Sequence, residues 1–336
     1  MSTIGNEIEI TNSRMEAVKS IEPFVGTQLG DLLKSVDESW QPSDFLPDMA
    51  SPSWKEDLVA FRNQANAVPD DLLVVLIGDM VTEEALPSYQ TWINRLNGVT
   101  DMSGTDGSAW ARWSRGWTAE ENRHGDLLNR YLYLTGKVDM RAVEATIHHL
   151  LKDGFNPQTE NDPYLGFIYT SFQERATKIS HRNVAKLAKR AGEEKLHEIC
   201  GLIAGDEARH ERAYKLFMQK IFEVDPKGAL ASFAVMMRKK IAMPAYLMHD
   251  GKDKNLYTKF SNIAQKIGVY TVIDYAEIIE DLVAHWNVES LTGLSDSAAK
   301  AQDYLCTLSE RYMKLAQRMT FETKGSISWI YGREVS

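Results

Sequence analysis

The chain has 336 residues, a quarter of them charged, and a formal net charge of −9; it can bury a large core and does not have the composition of a disordered segment. A whole-chain negative balance argues against a nucleic-acid binder, although a local basic patch can still dock an acidic partner. The longest apolar run, Leu72 to Gly78, is too short to span a bilayer. The two cysteines, Cys200 and Cys306, form no CxxC motif, which fits a reducing compartment.

In chain order, Met1 to Glu9 lack the Arg-rich, acid-poor character of an organelle transit peptide, so such a peptide is read as absent from this chain. The stretch to about Asp57, punctuated by Trp40-Gln41-Pro42 and Phe45-Leu46-Pro47-Asp48, reads as irregular coil packed on a body. Pro69-Asp70-Asp71 places proline and acids at a helix start. The apolar run from Leu72 to Leu96 follows; Pro87 should disturb one of its turns, and Asn97-Gly98 should end it. After a polar loop (Thr100 to Ser108), a second long helix is predicted from Ala109 to Thr135, and a shorter amphipathic one from Asp139 to Leu151. Long helices three and four run from Tyr164 to Ala191 and from Glu193 to Phe222. Further helices are expected over Lys227–Met243, Leu256–Ile267, Val272–Trp286 and Ser295–Lys324, with a small hairpin around Ile327 to Tyr331. The expectation is an all-α protein. A single helical domain covers residues 1–336, with an irregular segment over 1–57, a four-helix core over 69–222 and additional helices over 227–336.

Two segments carry the chemistry: Glu120-Glu121-Asn122-Arg123-His124 and Asp206-Glu207-Ala208-Arg209-His210. Each holds Glu-x-x-His inside a predicted long helix, and residues at i and i+3 share a helix face. Two such helices, with one glutamate from each of two others, build the di-metal carboxylate site of ferritin-like bundles. Helix one offers Glu83 or Glu84, and helix three offers Glu174. An oxygen-rich site with two imidazoles suits iron used for dioxygen chemistry. A third match, Glu194-Lys195-Leu196-His197, lies thirteen positions before His210 at its histidine and so falls on a different helix face.

The strings Met80-Val81-Thr82-Glu83-Glu84-Ala85-Leu86-Pro87, Trp117-Thr118-Ala119-Glu120-Glu121-Asn122-Arg123-His124-Gly125-Asp126 and Gly166-Phe167-Ile168-Tyr169-Thr170-Ser171-Phe172-Gln173-Glu174-Arg175-Ala176-Thr177 resemble the soluble plant acyl-[acyl-carrier-protein] desaturases. Trp40-Gln41-Pro42 and Met236-Met237-Arg238-Lys239-Lys240 extend the resemblance to almost the whole chain. It implies that Glu83, Glu121, His124, Glu174, Glu207 and His210 ligate two irons, choosing Glu83 over Glu84. It also implies desaturation of an acyl chain on acyl carrier protein, electrons from reduced ferredoxin, a homodimer and a plastid stroma location. Asp206 matches a carboxylate that orients His124, Trp40 matches an electron entry point, and Thr177 matches a hydroxyl beside the irons. Arg238, Lys239 and Lys240 are candidates for docking the acidic carrier.

The stretch Ser88-Tyr89-Gln90-Thr91-Trp92-Ile93-Asn94-Arg95-Leu96-Asn97-Gly98 departs from the common stearoyl-specific pattern, with Trp92 in place of a methionine and Arg95 in place of a threonine. The resemblance puts the far end of an acyl tunnel here, with Trp92, Arg95, Leu96 and Gly166 as substrate-contacting candidates. Bulk at Trp92 and Arg95 predicts a chain shorter than eighteen carbons or a double bond away from the ninth carbon. If these side chains turn outward, an ordinary stearoyl desaturase is expected instead. The competing functions are a hydroxylase on the same site and a non-catalytic iron-binding protein.

Overall fold

A computed structural model describes residues 2–321 and 325–335 of the chain. The first helix, α1, spans Ser2–Leu32, which corrects the reading of residues 1–57 as irregular. Val18, Ile21, Val25, Leu29 and Leu32 are all buried. Their three- and four-residue spacing is the stripe of an amphipathic helix, and α1 lays it on the bundle. Only the part after it, with two short 3₁₀ turns at Val36–Glu38 and Pro42–Asp44, is irregular. Then come α2 (Trp54–Ala65), α3 (Asp70–Glu83) and α4 (Leu86–Ile93). The expected disturbance at Pro87 is a complete break between α3 and α4: proline lacks the N–H that would continue α3 and sits at the first turn of α4, where none is needed.

The next two long helices keep their expected ends because the ends are capped. For α5 (Ala109–Thr135), the Ser108 hydroxyl accepts the Ala111 N–H, and Gly136 closes the helix at φ +70°. The shorter α6 covers Met140–Asp153. In α7 (Pro163–Ala191), Asp162 caps the start and Gly192 the end. The buried Glu193 then caps α8 (Glu194–Val224), accepting the Leu196 N–H. Asp225 ends α8 and caps α9 (Pro226–Lys239), which is shorter than the expected Lys227–Met243. Beyond lie α10 (Leu256–Ile267) and α11 (Val272–His285). The last predicted helix is divided into α12 (Asp296–Cys306) and α13 (Leu308–Ala316); the expected end at Lys324 lies outside the described residues. The hairpin is present as β1 (Ser326–Ile327) paired antiparallel with β2 (Arg333–Glu334).

The core is α3, α5, α7 and α8, with α7 and α8 packed along their length and α1 against α5 and α8. Its apolar interior is in two parts. One collects α1, α4, Trp110 to Trp117 of α5, Tyr164 to Ala176 of α7 and Ala213 to Phe222 of α8. The other collects Leu72 to Val81 of α3, Leu127 to Leu132 of α5, Val184 to Ala188 of α7 and Leu196 to Ile203 of α8. Helices α5, α7 and α8 therefore each pass from one apolar mass to the other, while α3 lies in the second and α4, which follows it, in the first; the residues between face a single buried layer. Glu120, Glu121, His124, Asp206, Glu207 and His210 fall in that layer.

Candidate metal centre

The interruption in each helix carries a metal-binding type of side chain. Donor atoms of Glu83, Glu121, His124 and Glu207 lie within 4.8 Å of one another, and so do those of Glu121, Glu174, Glu207 and His210. Glu121 and Glu207 belong to both groups, so the arrangement offers two adjoining ion positions with two shared carboxylates. Glu83 and Glu174 each serve one position, and each position has one imidazole. Glu84 is not in the layer: its carboxylate accepts from the Asn129 amide at 3.0 Å.

The residues present fit metal ions. All six side chains are buried, the two histidines completely. Nδ1 of His124, Nδ1 of His210, Oε1 of Glu121 and Oε1 of Glu207 are buried without an aligned hydrogen-bond partner. They nonetheless crowd together: His210 Nδ1 is 2.6 Å from Glu121 Oε1, and His124 Nδ1 is 3.3 Å from Glu207 Oε1. Burial, then the charges of Glu207 and Glu121, pushes the Glu83 carboxyl well above its usual range; burial, with the neighbouring carboxylates, does the same to Glu174. Four carboxylates in one dry layer would repel one another. Two divalent cations would neutralise them and satisfy the orphaned atoms.

The opposite edges of the two imidazoles are held by acids. His124 Nε2 is 3.5 Å from Asp206 Oδ2, and His210 Nε2 is 3.0 Å from Glu120 Oε2. A carboxylate behind a ligating imidazole fixes its tautomer and orientation. Arg209 joins the two acids, bonding Asp206 at 2.8 Å and Glu120 at 2.5 Å. Burial works against ionisation of Asp206, but hydrogen bonding and charge from His124, with Arg209, hold its carboxyl well below the usual range. Glu120 was not among the expected site residues. The signal was present: an acid precedes the glutamate of each Glu-x-x-His, and each acid serves the histidine of the other helix.

Trp40 lies against the Asp206–His124 pair. Its indole N–H donates to Asp206 at 3.0 Å, and its ring stacks on His124 with centroids 6.1 Å apart. Thr177 donates to Glu207 Oε2 at 2.8 Å while also lying 3.1 Å from the Glu174 carbonyl, so its hydroxyl faces both a candidate ligand and its own helix. His181 is a further neighbour without a sequence motif: its Nε2 is 2.8 Å from Glu83 Oε1. It lies seven residues after Glu174, two turns along the same face of α7.

Two cavities flank the layer. One, of about 490 Å³ with its open mouth included, has Tyr89, Trp92, Ile93, Trp117, Tyr169 and Pro244 in its wall. The other, of about 660 Å³, lies towards Met243, Tyr257, Phe260 and Tyr270, and includes the buried Asp79. Thr82, Glu83, Gln173, Thr177 and Pro244 border both.

Of the four substrate-contacting candidates, Trp92 alone lines the cavity at this end. Its indole N–H donates to the Thr159 hydroxyl at 2.6 Å, and it meets Phe155 and Tyr169 edge-on. Arg95 is exposed; one turn of α4 carries Trp92 inward, and the chain then leaves the helix with Arg95 on the solvent side. Leu96 and Gly166 pack on each other instead: a Cβ at Gly166 would lie 2.6 Å from Leu96 Cδ1. Of the basic trio, Arg238 covers the Tyr304 ring, Lys239 bonds the Gln158 carbonyl and Glu160, and Lys240 is exposed. His197 places Nδ1 3.1 Å from the Ala185 carbonyl, away from the cluster.

The fold and site define a helical bundle with a buried, carboxylate-rich layer that could hold a pair of metal ions. Residues 13–331 match the model of the family described as fatty acid desaturase. The chain is 53% identical over 337 residues to stearoyl-[acyl-carrier-protein] 9-desaturase, chloroplastic, of Olea europaea (98% of this chain, 86% of that protein). It is 55% identical over 326 residues to the protein of that name from Brassica napus (96% and 82%), and 54% identical over 336 residues to acyl-[acyl-carrier-protein] desaturase, chloroplastic, of Cucumis sativus (98% and 85%). The solved structure of DesA2 from Mycobacterium tuberculosis H37Rv aligns with a TM-score of 0.53 at 18% identity, covering 86% of this chain and 99% of that one, a likeness of fold. The chain belongs to the fatty acid desaturase family, and its fold is the all-α, ferritin-like one. No helix among the described residues is long and apolar enough to cross a membrane.

Proposed function

We propose that this protein is an acyl-[acyl-carrier-protein] desaturase that inserts a cis double bond into a saturated chain with dioxygen and electrons from reduced ferredoxin. The observation that carries the reading is the pair of overlapping carboxylate–histidine groups beside a cavity walled by aromatic side chains. Relatives more than half identical are named for this activity. The ions would be iron, held by Glu83, Glu121, His124, Glu174, Glu207 and His210. When bound, they supply the dioxygen chemistry that removes hydrogen from two adjacent methylenes.

The chain's own residues do the rest. An alkyl chain has no polar handle, so its reacting carbons are selected by cavity depth, and Trp92 closes one end. The apolar walls keep water from the reacting carbons. Thr177 Oγ1 holds a proton against Glu207 Oε2, and Trp40 links the outside to Asp206 and His124 as the electron entry. The acidic carrier docks near Arg238, Lys239 and Lys240. The protein works as a homodimer in the plastid stroma, each chain one helical domain over 1–336.

The test is to load the protein with ferrous iron, supply reduced ferredoxin and dioxygen, and offer acyl carriers of fourteen, sixteen and eighteen carbons. One internal double bond, located by mass spectrometry, supports the reading. A hydroxylated product would replace it with a hydroxylase. Two bound irons without any product would leave a non-catalytic iron-binding protein.

A further inference from the structure

The two carboxylates that serve one ion position each are held in the same way by different residues. Glu174 turns Oε1 to the indole N–H of Trp117 at 2.9 Å and has Oε2 3.7 Å from His210 Nδ1. Glu83 turns Oε1 to His181 Nε2 at 2.8 Å and has Oε2 3.9 Å from His124 Nδ1. In both cases one oxygen is taken by a ring N–H on a facing helix and the other is left for the cluster. An ionised carboxylate can only accept, so once a bound cation holds Glu83 ionised the His181 bond needs the proton on Nε2.

His181 is 1% exposed, and its Nδ1 has no hydrogen-bond partner. Burying an imidazole there without satisfying Nδ1 is costly, and the bond to Glu83 is the hydrogen bond its side chain makes. Glu83 needs such a hold more than its counterparts. It is the last residue of α3, where the backbone leaves the helix before α4, whereas Glu121, Glu174 and Glu207 sit in helix interiors. A helix end frays more readily than its middle, so a side-chain clamp from α7 substitutes for backbone restraint.

We propose that His181 is a positioning residue that fixes Glu83 with one oxygen facing the first ion position, the counterpart of Trp117 for Glu174 at the second. The inference rests on the metal-site reading above. It concerns one position only, and the hydrogen-bond donor at Nε2 is the working atom.

The test uses Co²⁺ in place of iron and needs no turnover. The full-length apoprotein is titrated by calorimetry and by the visible absorption of the bound ion. The variants are His181→Gln, whose amide N–H can take the place of Nε2–H, and His181→Asn, whose shorter amide cannot reach Glu83. The unaltered protein is expected to bind two ions. In His181→Asn one of the two positions should weaken ~10–100-fold, the usual effect of losing a partner behind a ligand, with a changed absorption for that ion alone. His181→Gln should restore most of the affinity, and Trp117→Phe should weaken the other position. Equal behaviour of the Gln and Asn variants, or equal weakening of both positions, overturns the proposal and leaves His181 a packing residue. Failure of the unaltered protein to bind two ions overturns the metal-site reading and this inference together.

Discussion

Replacing Trp92 by methionine should by itself lengthen the preferred acyl chain, and replacing Arg95 by threonine should not. Trp92 is buried in the cavity wall, pinned by its bond to Thr159 and by edge contacts with Phe155 and Tyr169 at 5.9 and 5.4 Å. Methionine is narrower and flexible, so the cavity deepens. Each extra methylene buried is worth ~0.8 kcal/mol, which is about fourfold in preference. A gain of two methylenes would thus favour the longer chain by roughly fifteen-fold. The change also leaves the fully buried Thr159 hydroxyl without its partner, at about 1–3 kcal/mol of stability, so melting should be followed alongside. Arg95 is exposed, and its loss should stay within about 0.5 kcal/mol in stability. The assay is a competition between carriers of fourteen, sixteen and eighteen carbons, with double-bond positions read by mass spectrometry. A shift produced by Arg95→Thr alone, or none from Trp92→Met, would refute the assignment of cavity depth to Trp92.

Two further outcomes follow from the charges in the layer. Glu207→Gln removes a carboxylate common to both ion positions and should weaken both Co²⁺ sites at least ~100-fold, whereas Glu83→Gln should weaken one; binding isotherms distinguish them, and indistinguishable isotherms would contradict the shared-carboxylate geometry. Burial raises the Asp79 carboxyl from its ordinary value to about 6, despite help from His181 and the Ser180 hydroxyl. A carboxyl whose folded pKa lies above its unfolded one stabilises the fold at low pH and loses that contribution as pH rises, here between about 4 and 6. The loss is about 3 kcal/mol. Asp79→Asn should therefore become more stable relative to the parent apoprotein as pH goes from 4 to 7; a stability difference that does not vary with pH would show that Asp79 is not perturbed in this way.

The helices were legible where a local signal ends them. Ser108 and Gly136, Asp162 and Gly192, and Asp225-Pro226 are caps and breakers whose action needs only a few neighbouring residues. The first helix was hidden because its signal is a sparse stripe, Val18 to Leu32, spread over a polar segment with Pro23 inside it; its burial against α5 and α8 is what makes it a helix. The twin Glu-x-x-His motifs likewise announced the centre, because their spacing puts each acid and imidazole on one helix face.

What the sequence alone determined is thus the four helices of the core, the two motifs and the family to which the chain belongs, all properties of residues close together along the chain. The tertiary structure decided which acid stands behind which histidine, which oxygen of Glu83 and Glu174 faces the cluster, that Trp92 points inward while Arg95 points out, and that His181 joins the site. These depend on distances between helices, as from Glu83 to His181 or Trp92 to Thr159. No period along one helix encodes those distances; they are set by how side chains from facing helices fill the space between two apolar masses.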